Sequence, residues 1–166
     1  MADDHGFGLD DLPKRVGQLL TTEGSMLATA ESCTGGWIAQ CVTDVPGSSV
    51  WFDRGFVAYS NVAKTEMLGV DPKIIAEFGA VSEPVIRAMV SGALGLSRAR
   101  VAVAVSGIAG PSGGSPDKPV GTVWFAWQRV DRDATVHRAV LSGDRRAVRR
   151  QAVVVALQGV LDLFRE

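Results

Sequence analysis

Cysteine is scarce in this chain. Cys33 and Cys41 are the only two among 166 residues, which excludes a disulfide-stapled scaffold and fits a reducing compartment. Histidine is as rare: His5 lies near the start and His137 stands alone inside a strand-like pattern. A Ser-His-Asp relay is therefore not expected, and no cluster of His, Cys, Asp and Glu has metal-ligand spacing, so neither metal nor cofactor is expected. Long apolar runs are missing too. Residues 101–105 are among the longest, far short of the roughly 20 needed to cross a bilayer. The first dozen residues lack the basic-then-apolar pattern of a secretory leader, so a cytoplasmic protein without a membrane partner is expected. Excess charge of one sign is also absent: 17 Lys and Arg stand against 18 Asp and Glu. That balance gives no global pull toward nucleic acid and points to a small-molecule partner.

What the chain does have is an ordinary globular composition, 46% apolar and 21% charged, and enough length to close one core. A flexible N-terminus over 1–8 and one domain over 9–166 are expected. Asp10 or Asp11 offers an N-cap for a helix reaching about Glu23, with Leu12, Val16, Leu19 and Leu20 on one face. Residues 26–30 read as a buried strand, 37–43 as a helix closed by Pro46-Gly47, and 50–59 as a second strand. Ser60 or Asn61 caps a short helix that Gly69 ends, Asp71-Pro72 starts another, and Ser82-Glu83-Pro84 opens a third running toward Ser97. Residues 101–105 form an apolar strand, 120–127 and 134–141 an antiparallel pair, and Asp144 caps a closing helix to about Phe164. Strands alternating with helices, then a late hairpin, predict an α/β fold. The expected form is a three-layer α/β/α sandwich on a mixed, mostly parallel sheet of about five strands.

Three places could carry chemistry. In the turn Glu31-Ser32-Cys33-Thr34-Gly35-Gly36, a strand passes through two glycines into a helix and exposes main-chain N–H groups. Such a turn suits an oxyanion or phosphate, with Ser32 as nucleophile; Ser32 or Thr34 as a plain helix cap explains the same residues. Lys64, early in a helix after Tyr59, stands where the helix dipole disfavours a cation. A desolvated lysine there can act as a base, and a solvated surface lysine is the alternative. The loop 106–114, including Ser106, Gly107 and Gly110, lacks the Gly-Lys-[Ser/Thr] ending of a P-loop, yet its glycines permit close approach of a ligand. Finally, Arg145, Arg146, Arg149 and Arg150 crowd the start of the last helix. Arg145 and Arg149 share a face, and a bound anion or simple solvation accounts for them.

These blocks, in order, are similar to the CinA C-terminal domain family. The segments that carry the likeness are Ala28-Thr29-Ala30-Glu31-Ser32-Cys33-Thr34-Gly35-Gly36, Pro46-Gly47-Ser48-Ser49 with Arg54-Gly55-Phe56, and Tyr59-Ser60-Asn61 with Ala63-Lys64. Gly79-Ala80-Val81-Ser82, Ser106-Gly107-Ile108-Ala109-Gly110-Pro111 through 118–123, and Ser142-Gly143-Asp144-Arg145 with Val148-Arg149 continue it over nearly the whole chain. The resemblance implies an α/β/α amidase converting nicotinamide mononucleotide and water to nicotinate mononucleotide and ammonia. It implies Ser32 as nucleophile with Lys64 and Tyr59 as its activating partners, and Thr34, Gly35, Gly36, Ser106, Gly107, Gly110, Arg145 and Arg149 as substrate-binding residues. Ser106 falls where many relatives carry threonine, a change that keeps the hydroxyl. A homodimer or higher homo-oligomer is implied as well. The larger N-terminal domain of two-domain members has no counterpart, so the pyrophosphatase activity linked to it is not expected. A non-catalytic nucleotide-binding or regulatory module is the rival reading.

Overall fold

A computed structural model describes residues 8–165; His5 and all but the last residue of the expected flexible segment lie outside the described residues. Helix α1 (Leu12–Thr22) leads into β1 (Leu27–Glu31), α2 (Trp37–Thr43), a 3-10 turn at Ser48–Val50 and β2 (Phe52–Val57). Three helices follow, α3 (Asn61–Leu68), α4 (Pro72–Phe78) and α5 (Glu83–Gly95). The chain ends with β3 (Val101–Gly107), β4 (Thr122–Arg129), β5 (Thr135–Val140) and α6 (Arg145–Asp162).

The local chemistry explains most boundaries. Ser60 Oγ accepts from Ala63 N at 3.0 Å, Asp71 Oδ1 from Lys73 N at 2.8 Å and Asp144 Oδ1 from Ala147 N at 2.8 Å, each filling an orphan donor of a first helical turn. Asp11 and Ser82 also stand at N-cap positions, but neither side chain caps its helix. The Ser82 hydroxyl instead donates to Gly79 O at 2.7 Å.

The sheet order is β2-β1-β3-β4-β5. β1 pairs in parallel with β2 and β3, whereas β3–β4 and β4–β5 are antiparallel. Only β4 runs against the others, so the sheet is mostly parallel by direction although the late hairpin makes half its pairings antiparallel. Its two faces read out the period of two along each strand. Leu27, Val101, Val103, Val105, Val123, Phe125 and Trp127 pack beneath α1, α2 and α6. Ala28, Ala30, Ala102, Ala104 and Ala126 face the layer containing α5.

Those alanines let α5 lie close to the sheet, and α5 in turn takes α3 at backbone range. A Cβ added at Gly92 would stand 2.0 Å from Leu68 O. Gly92→Ala should therefore lower stability by about 1–3 kcal/mol or more because the obstacle is main chain, read as a lower urea midpoint at unchanged m-value. An unchanged midpoint would show that the α3–α5 contact yields.

Candidate active site

Because β1, β2 and β3 are adjacent and parallel, their carboxyl ends open on one edge of the sheet, the place where ligands enter α/β folds. Ser32 directly follows β1, Tyr59 comes two residues after β2, and Ser106 sits near the end of β3. Lys64, in the second turn of α3, reaches into the same crevice. Its Nζ donates to Ser32 Oγ at 3.1 Å and to the main-chain oxygen of Tyr59 at 3.1 Å. Lys64 is 1% exposed and Ser32 7%, so both groups are withdrawn from water.

Burial pulls the Lys64 amine below its ordinary 10.5, because desolvation penalises the ammonium form. No carboxylate among the described residues forms an ion pair with it, and the positive end of α3 adds to the bias against charge. The neighbouring thiol behaves oppositely. Burial pushes Cys33 up to about 11, with Arg149 and Lys64 opposing only in part. Cys33 thus stays a protonated packing residue beside Ser32 rather than a second nucleophile.

Neither Ser32 nor Thr34 caps α2, whose N-cap position is Gly36 at φ 93°. The cap comes from Glu31, a fully buried carboxylate that sequence reasoning did not single out. Its Oε1 accepts from Thr34 Oγ1 at 2.7 Å and Ile38 N at 2.8 Å; its Oε2 accepts from Ala39 N at 3.0 Å and Thr29 Oγ1 at 3.4 Å. The available signal was a carboxylate closing an otherwise buried strand. Glu31 takes the helix amides, and Gly35 N donates to Ser32 O at 3.0 Å. The N–H of Cys33, next to the nucleophile, has no carbonyl acceptor among the described residues.

The crevice is a cleft of about 180 Å³ lined by Ser32, Tyr59, Asn61, Lys64, Ser106, Gly107 and Arg145, among others. Ser106 Oγ, buried, donates to Ala80 O at 2.9 Å. Gly107 admits no side chain, since an added Cβ would meet Val123 Cγ2 at 2.7 Å. Arg145 donates to Gly110 O at 2.8 Å and to the Tyr59 phenol oxygen at 3.1 Å. Tyr59 therefore orients the amine through its carbonyl, while its phenol positions the guanidinium. Asn61 is a lining residue that the sequence offered only as a helix cap.

The remaining substrate-binding expectations fall elsewhere. Thr34 is buried against Glu31, and Gly110 serves Arg145 through its carbonyl. Arg149 donates from Nε to Cys33 O at 3.0 Å and from Nη2 to Thr34 O at 3.1 Å. With Thr34, Gly35 and Gly36 it borders a separate hollow, because those carbonyls draw it behind the turn. A larger hollow of about 620 Å³ lies beside Trp127, His137 and the end of α6. It has no serine, cysteine or lysine in its lining, whereas the smaller cleft holds a serine hydroxyl beside a buried amine. Among the described residues no His, Cys, Asp and Glu group could hold a metal ion, and no helix is long and apolar enough to cross a membrane.

Comparison with known proteins places the chain in a family. Residues 9–164 match the model of the CinA C-terminal domain. The chain is 54% identical over 156 residues to the nicotinamide-nucleotide amidohydrolase PncC of Escherichia coli K12, covering 94% of each protein. It is 54% identical over 155 residues to the protein of that name from Pseudomonas putida, covering 93% of this chain and 96% of the other. Among solved structures it superposes on a competence/damage inducible protein of Agrobacterium tumefaciens with a TM-score of 0.91 at 44% identity, covering 93% of this chain and 94% of that one.

Proposed function

Because the chain belongs to the CinA C-terminal domain family, and its near-full-length relatives are nicotinamide-nucleotide amidohydrolases, we propose that it hydrolyses nicotinamide mononucleotide to nicotinate mononucleotide and ammonia. Ser32 is the nucleophile and Lys64 its base. The observation that carries the reading is the buried amine 3.1 Å from the Ser32 hydroxyl, with no carboxylate in an ion pair with it among the described residues.

Neutral Lys64 takes the Ser32 proton as Oγ attacks the carboxamide carbon, and the carbonyl π electrons move to oxygen. The N–H of Cys33, which has no carbonyl acceptor among the described residues, is the donor left available to the developing oxyanion, a contact of a kind worth a few kcal/mol in the transition state. Collapse breaks the C–N bond, and the proton held by Lys64 passes to the departing nitrogen, releasing ammonia. Lys64, neutral again, takes a proton from water. The hydroxide attacks the seryl ester; as the ester C–O bond breaks, Lys64 returns a proton to Ser32, and the acid formed gives its carboxyl proton to solvent and leaves as nicotinate.

A cleft of about 180 Å³ accommodates the carboxamide-bearing ring between Ser106, Gly107 and Ser32, and leaves the ribose phosphate at the mouth. Arg145 stands there, with a forked guanidinium suited to phosphate. The test is direct. The purified protein should release ammonia and nicotinate mononucleotide in equal amounts from nicotinamide mononucleotide. Free nicotinamide, lacking the phosphate, should show kcat/KM lower by roughly 100-fold, the effect of losing one charge-assisted contact. Saturable binding of the nucleotide without product would leave a non-catalytic binding module instead.

A further inference from the structure

The turn that carries Ser32 has a second hollow at its back. It measures about 420 Å³ and is bordered by Gly35, Gly36, Trp37, Gln40, Arg146 and Arg149. No residue lines both this hollow and the Ser32 cleft. Two cations converge on one aromatic ring there: Arg146 Cζ lies 5.6 Å and Arg149 Cζ 5.4 Å from the centroid of Trp37. Arg146, Arg149 and Arg150 have no carboxylate within ion-pair distance among the described residues, and no acid borders the hollow. Three unneutralised guanidiniums, with Arg145 before them, therefore occupy the first turns of α6, whose dipole opposes positive charge. An anion in the hollow relieves both repulsions.

Arg149 joins this hollow to the active site. Its Nε and Nη2 hold the carbonyls of Cys33 and Thr34, the two residues after the nucleophile, while Glu31 holds the same turn from the other side. We propose that the Arg146–Trp37–Arg149 hollow binds a phosphate group, free or carried by a nucleotide, and that its occupancy slows the enzyme. Phosphate bridging the two arginines takes up charge that Arg149 otherwise lends to its bonds with the Cys33 and Thr34 carbonyls. The turn slackens, and Ser32 spends less time in line with Lys64. The expected effect falls on kcat rather than on KM, because the substrate cleft is a different place.

The probes are inorganic phosphate, adenosine 5′-monophosphate and adenosine, followed by tryptophan fluorescence and by ammonia release. Phosphate and the monophosphate should quench saturably, and adenosine should not. Trp37→Phe should abolish the response and Arg146→Ala should weaken binding at least tenfold. In turnover, saturating phosphate should lower kcat at least twofold with KM for nicotinamide mononucleotide unchanged. Arg146→Ala should keep the phosphate-free kcat and lose this sensitivity. A monophosphate binding tighter than phosphate identifies a nucleotide as the natural source; equal affinities identify the free ion. No saturable quenching would overturn the proposal, as would inhibition that only raises KM and persists in Arg146→Ala, which places the anion in the Ser32 cleft. Should the protein release no ammonia at all, the amidase reading fails while the fluorescence titration still decides the phosphate site.

Discussion

Ser32→Ala should fold like the wild type and release ammonia from nicotinamide mononucleotide roughly 10⁴ to 10⁶ times more slowly, the loss typical of deleting a covalent nucleophile. The fold should tolerate the change because the side chain is small and, among the described residues, its hydroxyl bonds only Lys64. Lys64 keeps the carbonyl of Tyr59, so the cost in stability should stay within about 1 kcal/mol. No other group nearby can take over. Cys33 is buried and its thiol is pushed up to about 11, and the Ser106 hydroxyl donates to Ala80 O. The measurements are thermal melting, substrate binding and ammonia release on one preparation. Unchanged melting and binding with lost turnover assign Ser32 to the bond-making step. Turnover within tenfold of wild type would mean that water attacks the carboxamide directly and that Ser32 is a bystander.

The features legible in the sequence were those governed by near neighbours. Alternating valines and alanines in β3, the caps at Ser60, Asp71 and Asp144, and the proline and glycine punctuation are local patterns, and the elements follow them to within a few residues. Ser32 and Lys64 were legible as chemically odd placements, a serine at a glycine-rich strand end and a lysine at the positive end of a helix. What stayed hidden depends on distances through space. Glu31 finds partners seven and eight residues away because α2 folds back over β1. Arg145 and Arg149 share a helix face, yet the carbonyls of the turn at 32–36 capture Arg149 and not Arg145. One therefore joins the substrate cleft through Tyr59 and Gly110, and the other is drawn behind the turn. Tyr59 was legible as a partner of Lys64, but not that its carbonyl rather than its phenol makes the contact.

Replacing Lys64 gives the second large effect and separates the base from a mere cation. Lys64→Arg preserves positive charge but cannot supply a neutral nitrogen, since guanidinium stays protonated throughout the working range. Lys64→Met preserves most of the apolar stem and supplies no proton acceptor. Both should lower kcat/KM by roughly 10² to 10⁴, the usual contribution of a positioned base. In the wild type, kcat/KM should rise with pH through the Lys64 value, which burial holds below 10.5. Both variants should lose that limb. Stability adds an independent reading with a definite sign. Between the folded-state value and 10.5 the unfolded chain holds a proton on Lys64 that the folded chain has released. The Lys64 contribution to stability therefore climbs with pH across that window and levels off above it, and it is read as the wild-type minus Lys64→Met difference, because the raised thiols of Cys33 and Cys41 act in the opposite sense between 9.0 and about 11. Lys64→Met removes this climb and leaves the rest of the pH profile in place. If Lys64→Arg retains more than a tenth of wild-type activity, or if the wild-type minus Lys64→Met difference stays flat across the window, the amine beside Ser32 is a counter-charge and not a base.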